Sequence, residues 1–263
     1  MSQLWGYSDL YNLIDQRPNL KLGMMIDTNL LIAATYDSDE NYEKTKEFLD
    51  LVFENEIPLY CNVNVKAEFL EIHRRIIFTE AIVGFAEVIE IGKLPPTLAS
   101  KITTLNNRIT RIEKKNTEEN LNSPKVLRLS EAEIKDFKLE MLRVSNSGGE
   151  NLWYELCELR VGDKISSLWE ETKEGFGLNF IGTRKEDQDN HLKHEPDWNR
   201  ATALMEKQGL SSADAMIVNM FLASKFDLLI TSDNEVAIAI LKNGNIPQGC
   251  IVPERVKIII QGM

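Results

Sequence analysis

Cysteine and histidine are scarce in this 263-residue chain, at three each. Cys61, Cys157 and Cys250 are odd in number, lie far apart and form no C-x-x-C pair. That argues against a disulfide framework and a zinc ribbon, and points to a reducing compartment. An excess of positive charge is missing too: 30 Lys and Arg face 41 Asp and Glu, leaving −11 at pH 7. A broad basic face for gripping duplex phosphates is therefore not expected. Long apolar runs are absent at the start, where MSQLWGYSDLYNLIDQRPN carries Asp9 and Asp15. Neither a signal peptide nor a membrane span is predicted there, and the expected location is the cytoplasm. No G-x-x-x-x-G-K-[ST], G-x-G-x-x-G or G-x-S-x-G occurs, so nucleotide-fold and serine-hydrolase readings lack their anchors.

What remains is 43% hydrophobic and 27% charged, the balance of an ordinary globular protein. Leu22–Ile26 reads as a buried strand that runs into Asp27-Thr28-Asn29 and a helix start. A helix follows within Glu40–Asn55, then a strand at Pro58–Cys61. The next helix, Asn64–Phe78, carries Val65, Phe69, Ile72 and Ile76 on one face. Beyond Phe85 the pattern turns helical, over Thr97–Lys115, Ser130–Val144, Glu150–Arg160 and Asp163–Lys173. The breaks fall at Pro95-Pro96, Asn122-Ser123-Pro124, Ser147-Gly148-Gly149 and Gly175-Phe176-Gly177. Thr183–Asp197 is polar and reads as a surface loop. Strand character returns at Leu228–Thr231 and Val256–Ile260, around a largely apolar helix at Ser212–Ser224 and another at Glu235–Lys242 closed by Asn243-Gly244. The expected architecture is an α/β sandwich around a central parallel sheet (residues 22–84 and 197–263). A helical lead (1–21) precedes it, and a largely helical insertion (85–196) interrupts it.

Four acids fall where burial is expected. Asp27 and Asp233 each follow a strand, at the edge where open α/β sheets place their ligand crevice. Asp214 opens a helix with almost no polar face, and Glu68 borders the Val65–Phe69 stripe. Glu71 instead points towards Arg74 and Arg75, as a surface ion pair would. Each of Asp27, Asp214 and Asp233 also has a plain reading as a helix cap or first-turn acid. Four carboxylates meeting at one sheet edge need protons or cations to offset their repulsion. Oxygen ligands without Cys or His suit Mg²⁺ or Mn²⁺ rather than zinc.

The series Ile26-Asp27-Thr28-Asn29-Leu30-Leu31, Ala67-Glu68-Phe69-Leu70, Ala213-Asp214-Ala215-Met216-Ile217 and Leu229-Ile230-Thr231-Ser232-Asp233 resembles the PIN-domain nucleases. The resemblance covers about half the chain. It implies a three-layer α/β/α sandwich with a central parallel sheet, and a metal-dependent endoribonuclease that cuts single-stranded or structured RNA. By the same resemblance Asp27, Glu68, Asp214 and Asp233 are both catalytic and metal-binding, holding one or two Mg²⁺ or Mn²⁺, with Asn29 and Thr231 in support. The insertion of about 112 residues departs from the small toxin members of that family. It leaves open a homo-oligomer or a protein partner bound through the insertion.

The histidines match no part of this pattern: His73 is expected away from the apolar stripe, and His191-x-x-His194 reads as a solvated loop or a small metal cluster. Lys101, Arg108, Arg111, Lys114 and Lys115, with Lys125 and Arg128, are candidates for an RNA-backbone contact or for an ordinary solvated face. Trp153, Tyr154, Trp169, Phe176, Phe180 and Trp198 could stack bases or pack a core. An aspartyl-phosphate phosphatase is disfavoured because Asn29 stands where its second acid belongs. The competing readings are an inactive RNA- or protein-binding module of the same fold, and a toxin of a toxin–antitoxin pair.

Overall fold

The structure, a computed structural model, describes residues 3–36, 39, 41–88, 93–119, 127–145, 149–243 and 247–263. Asn122-Ser123-Pro124, Lys125, Ser147-Gly148 and Gly244 lie outside the described residues. The chain divides into two compact units, one of residues Met1–Phe69 and Thr172–Met263, the other Leu70–Glu171.

The first unit contains β1 (Gln3–Gly6), α1 (Leu10–Gln16), β2 (Met24–Ile26), α2 (Thr28–Thr35), α3 (Tyr42–Glu54), β3 (Leu59–Asn62) and the start of α4 (Val63–Val88). Between them α5 (Pro96–Glu119), α6 (Glu131–Met141), α7 (Leu152–Leu156) and α8 (Lys164–Gly175) fill most of the second unit. The first unit then resumes with β4 (Leu178–Ile181), α9 (Lys185–His191), α10 (Trp198–Gln208), α11 (Ser212–Ala223), β5 (Leu228–Ile230), α12 (Asn234–Asn243), β6 (Gly249–Val252) and α13 (Glu254–Gln261).

The strands form one sheet in the order β1-β6-β5-β2-β3-β4, every pair parallel. Parallel strands need helical crossovers that cover both faces, so the central strands should be apolar throughout. They are: every residue of β2, β5 and β6 is buried. From β2 the chain steps outward one way to β3 and β4, and from β5 the other way to β6. The strand order therefore reverses between β2 and β5, which is where such sheets open a crevice at their carboxyl ends.

Several expectations are corrected. The lead, expected to be helical, supplies β1, which pairs with β6 at one edge of the sheet. The stretch 85–196, expected to hold no strand, supplies β4 at the other edge. The last strand is Gly249–Val252, and the β-branched run Val256–Ile260 is helical, with Val256 buried and Ile258 70% exposed. The polar stretch 183–197 contains α9.

The second unit has its own core. Ile77, Phe78 and Ile82 of α4 pack with Leu98, Ile102 and Leu105 of α5, Phe137 of α6 and Trp153 and Leu156 of α7. The rings of Phe78 and Trp153 stack at 5.1 Å.

Candidate functional site

Asp27 follows β2 directly, and its backbone N–H continues the sheet by donating to the Ile230 carbonyl at 2.9 Å. The side chain is fully buried. Its Oδ1 accepts from the Thr28 N–H at 2.7 Å and its Oδ2 from the Thr231 hydroxyl at 2.6 Å. Asp27 is thus the N-cap of α2, but the backbone bond goes to the first helical residue, not the usual second or third. Burial pushes its pKa up to about 7; the two hydrogen bonds oppose the rise, and the charges of Glu68 and Asp214 add to it.

Thr231 directly follows β5 and links two of the acids. Besides donating to Asp27, its hydroxyl accepts the Asp233 N–H at 3.0 Å. Asp233 in turn caps α12 through Oδ1, which accepts from the Glu235 N–H at 2.7 Å, and its Oδ2 receives the Asn29 amide at 3.4 Å.

Glu68 is half-buried on α4. Its pKa is raised by burial first and then by the charges of Asp214 and Asp233. The Thr28 hydroxyl facing it draws the pKa back, yet no hydrogen bond of normal geometry satisfies that buried oxygen. Asp214 lies in the first turn of α11, where Ser211 Oγ accepts its N–H at 3.2 Å and donates to its Oδ2 at 2.6 Å. The capping readings of Asp27, Asp214 and Asp233 are therefore realised. Burial is the main cause of the raised pKa at Asp27 and Glu68; the charges of Glu68 and Asp214 add to it at Asp27, and those of Asp214 and Asp233 at Glu68.

Sequence reading passed over three contributors. Ser211 orients Asp214, and Thr28 brings an oxygen with no partner. Asn62, at the end of β3, caps α4 through Oδ1 while its buried Nδ2 has none. Each is a small polar residue one to three positions from a strand or helix boundary, a signal that separates caps from ligands poorly.

The other candidates lie elsewhere. Lys101 pairs with Asp136 and Glu140, Arg108 with Glu133 and Lys114 with Glu118, all within the second unit, while Arg111 and Lys115 are exposed on α5. Trp153 and Trp169 are buried; Tyr154, Phe180 and Trp198 are exposed. His73 is buried rather than off the apolar stripe, and its pKa falls to about 4 through burial and the nearby Arg128 charge. His191 lies against the rings of Tyr60 and Phe226, and His194 hydrogen-bonds the Glu195 carbonyl. Glu71 pairs with Arg74.

The donor set at the switch point fits a hard divalent cation in kind: carboxylate and hydroxyl oxygens, with two carboxyl groups destabilised as anions by burial first and by neighbouring charges second. Among the described residues, however, no three His, Cys, Asp or Glu side chains are already gathered at ligand spacing. No described helix is long and apolar enough to cross a membrane. No protein-family model, no curated protein and no solved structure matches this chain.

Proposed function

We propose that this chain is a metal-dependent endoribonuclease on a PIN-like three-layer α/β/α sandwich, hydrolysing phosphodiester bonds of single-stranded or structured RNA in the cytoplasm. One observation carries the reading: a fully buried carboxylate, Asp27, sits at the point where strand order reverses and feels the charges of Glu68 and Asp214, while Glu68 feels those of Asp214 and Asp233. A fold has no reason of stability to crowd carboxylates there, since each raises the cost of ionising the next.

In this reading Asp27, Asp214 and Asp233 hold one or two Mg²⁺ or Mn²⁺, and Glu68 binds directly or through water. The chemistry a bound ion supplies is neutralisation of phosphodiester charge and acidification of a water. The chain's own contribution is orientation. Thr231 and the Thr28 N–H fix both oxygens of Asp27, Ser211 fixes one oxygen of Asp214, and the α12 N–H groups fix one oxygen of Asp233. These three carboxylates thus enter the site with their rotamers already set, which lowers the entropy lost on binding. Asn29 holds Asp233 from the α2 side.

The test is incubation of purified protein with labelled single-stranded RNA and Mn²⁺ or Mg²⁺, beside Asp27→Asn and Asp214→Asn. Metal-dependent cleavage by the wild type, lost in both variants, is expected. Metal-independent cleavage, or full activity in both variants, would sink the mechanism. The second reading is a binding module of the same fold, and the lack of a gathered ligand set among the described residues favours it. It predicts RNA retention without cleavage under any divalent ion.

A further inference from the structure

Seen along α4, Val65 and Phe69 face the sheet and are fully buried. At 3.6 residues per turn, Glu68 and Lys66 fall on opposite flanks of that stripe. Glu68 lies on the side of Asp27, Asp214 and Asp233, whose charges act on it or feel it. Lys66 lies on the other side, towards the sheet's β4 edge, where its ammonium sits 5.4 Å from the ring centre of Phe180. Phe180 pairs in register with Cys61 of β3, and the Lys66 and Lys173 charges both reach that cysteine.

Phe180 is unusual for a strand residue. Both central positions of β4, Asn179 and Phe180, are exposed, and Phe180 shows 37% of its surface. The carboxyl end of the same strand leads through Gly182 to Arg184 and Lys185, both exposed. In a chain of net charge −11, one exposed aromatic ring thus stands beside a lysine, with two further cations following its strand and the Asp187 carboxylate close to Gly182. In the sheet register Phe180 stands one residue beyond the level of Met25, towards the carboxyl edge that carries Asp27, and Lys66 lies in the first turn of α4, which starts from the carboxyl end of β3. Two strand spacings, about 10 Å, separate β4 from β2 along the sheet. The other exposed aromatics of the first unit are placed differently. Trp198, for example, opens α10, which packs against α11 across the three residues 209–211, so it lies at the end of that hairpin away from Asp214.

We infer that Phe180 and Lys66 form a nucleotide subsite flanking the switch-point crevice, across α4 from Glu68. The Phe180 ring stacks an unpaired nucleobase, and Lys66 meets the adjoining backbone phosphate, one side of the scissile bond. This inference rests on the nuclease reading for its orientation, and it deepens that reading by naming the substrate class as single-stranded. A base inside a duplex stack presents no free face to a side chain at a sheet edge, whereas an unpaired base does. The lysine supplies the local positive charge that the chain as a whole lacks.

The experiment measures fluorescence anisotropy of a labelled ten-nucleotide single-stranded RNA with the full chain in Ca²⁺, so that the reading does not depend on turnover. Phe180→Ala is expected to weaken binding at least about fivefold, the lower end for loss of one stacked base. Phe180→Trp should restore it, and Lys66→Gln should weaken it and flatten its dependence on salt. The same RNA annealed to its complement should bind more weakly. Because β4 is an edge strand, melting curves of Phe180→Ala and Phe180→Trp accompany the binding data. Unchanged affinity in a folded Phe180→Ala, tighter binding of the duplex, or no binding by the wild type overturns the subsite. An active nuclease with unchanged Phe180→Ala affinity sinks this inference alone. An inactive protein that loses affinity in Phe180→Ala sinks the nuclease reading alone.

Discussion

The Thr231 hydroxyl donates to Oδ2 of Asp27 across 2.6 Å, joining the ends of two adjacent parallel strands that are 204 residues apart in the chain. The same oxygen accepts the Asp233 N–H, so one β-branched side chain holds two carboxylates in register at the switch point. Both groups it serves lie at or near the buried end of the crevice, where a lost partner is expensive.

Thr231→Val should therefore destabilise the protein by about 1–3 kcal/mol, the penalty for leaving a buried polar group unsatisfied. Thr231→Ser keeps the hydroxyl and should recover most of that. Urea unfolding at pH 8 reads the difference, and a valine variant as stable as the wild type would show that Asp27 is held by other means.

Asp27 makes the metal-free protein more stable in mild acid than at pH 8. Its folded pKa stands at about 7 against an ordinary aspartate value of 3.8. Between those values the folded state keeps a proton that the unfolded state releases, so stability falls as pH rises through the window. Below the lower value both states are protonated, and the stability is at its full value and no longer depends on this group's titration. Asp27→Asn should be more stable than the wild type at pH 8 in EDTA and should lack that part of the pH dependence. Melting temperatures of both proteins from pH 5 to 8 test this, and parallel curves would refute it.

Gly23 precedes β2 with φ +111°, and a Cβ there would come within 2.5 Å of the Pro58 carbonyl oxygen and of the Tyr60 ring. That carbonyl accepts the Met24 N–H at 2.9 Å, the bond that starts the β2–β3 pairing. Gly23→Ala combines backbone strain with a clash against backbone, and should cost about 2 kcal/mol or more. A drop of several degrees in melting temperature is the expected result; an unchanged one would mean that β2 can shift to accommodate the methyl.

How much of this was readable follows from where each residue gets its environment. β2 and β5 were legible because strands covered on both faces read as unbroken apolar runs, and the acids after them stood out against that background. β4 was not, because Asn179 and Phe180 at its centre break both alternation and continuity. The run Val256–Ile260 has strand propensity but only Val256 is buried, and tertiary placement overrode the preference. His73 was misplaced by taking the α4 stripe too narrowly: it lies four residues after Phe69 and four before Ile77, all three buried. The mutual repulsion of Glu68, Asp214 and Asp233 was inferable only as an expectation, since sequence gives the order of strands and not their adjacency.

The outermost pairing of the sheet also constrains the chain's birth. Gln3 of β1 lies opposite Gly249 of β6, and close by the Ser8 N–H donates to Glu254, 246 positions away. At ribosomal rates of about 5–20 residues per second, the early strand waits roughly 12–50 s for its partner to be made. During that interval Gln3–Gly6 has no neighbour in the sheet. Closing the sheet at that side is therefore a late event, whereas β2, β3 and β4 can pair while the chain that follows them is still being translated.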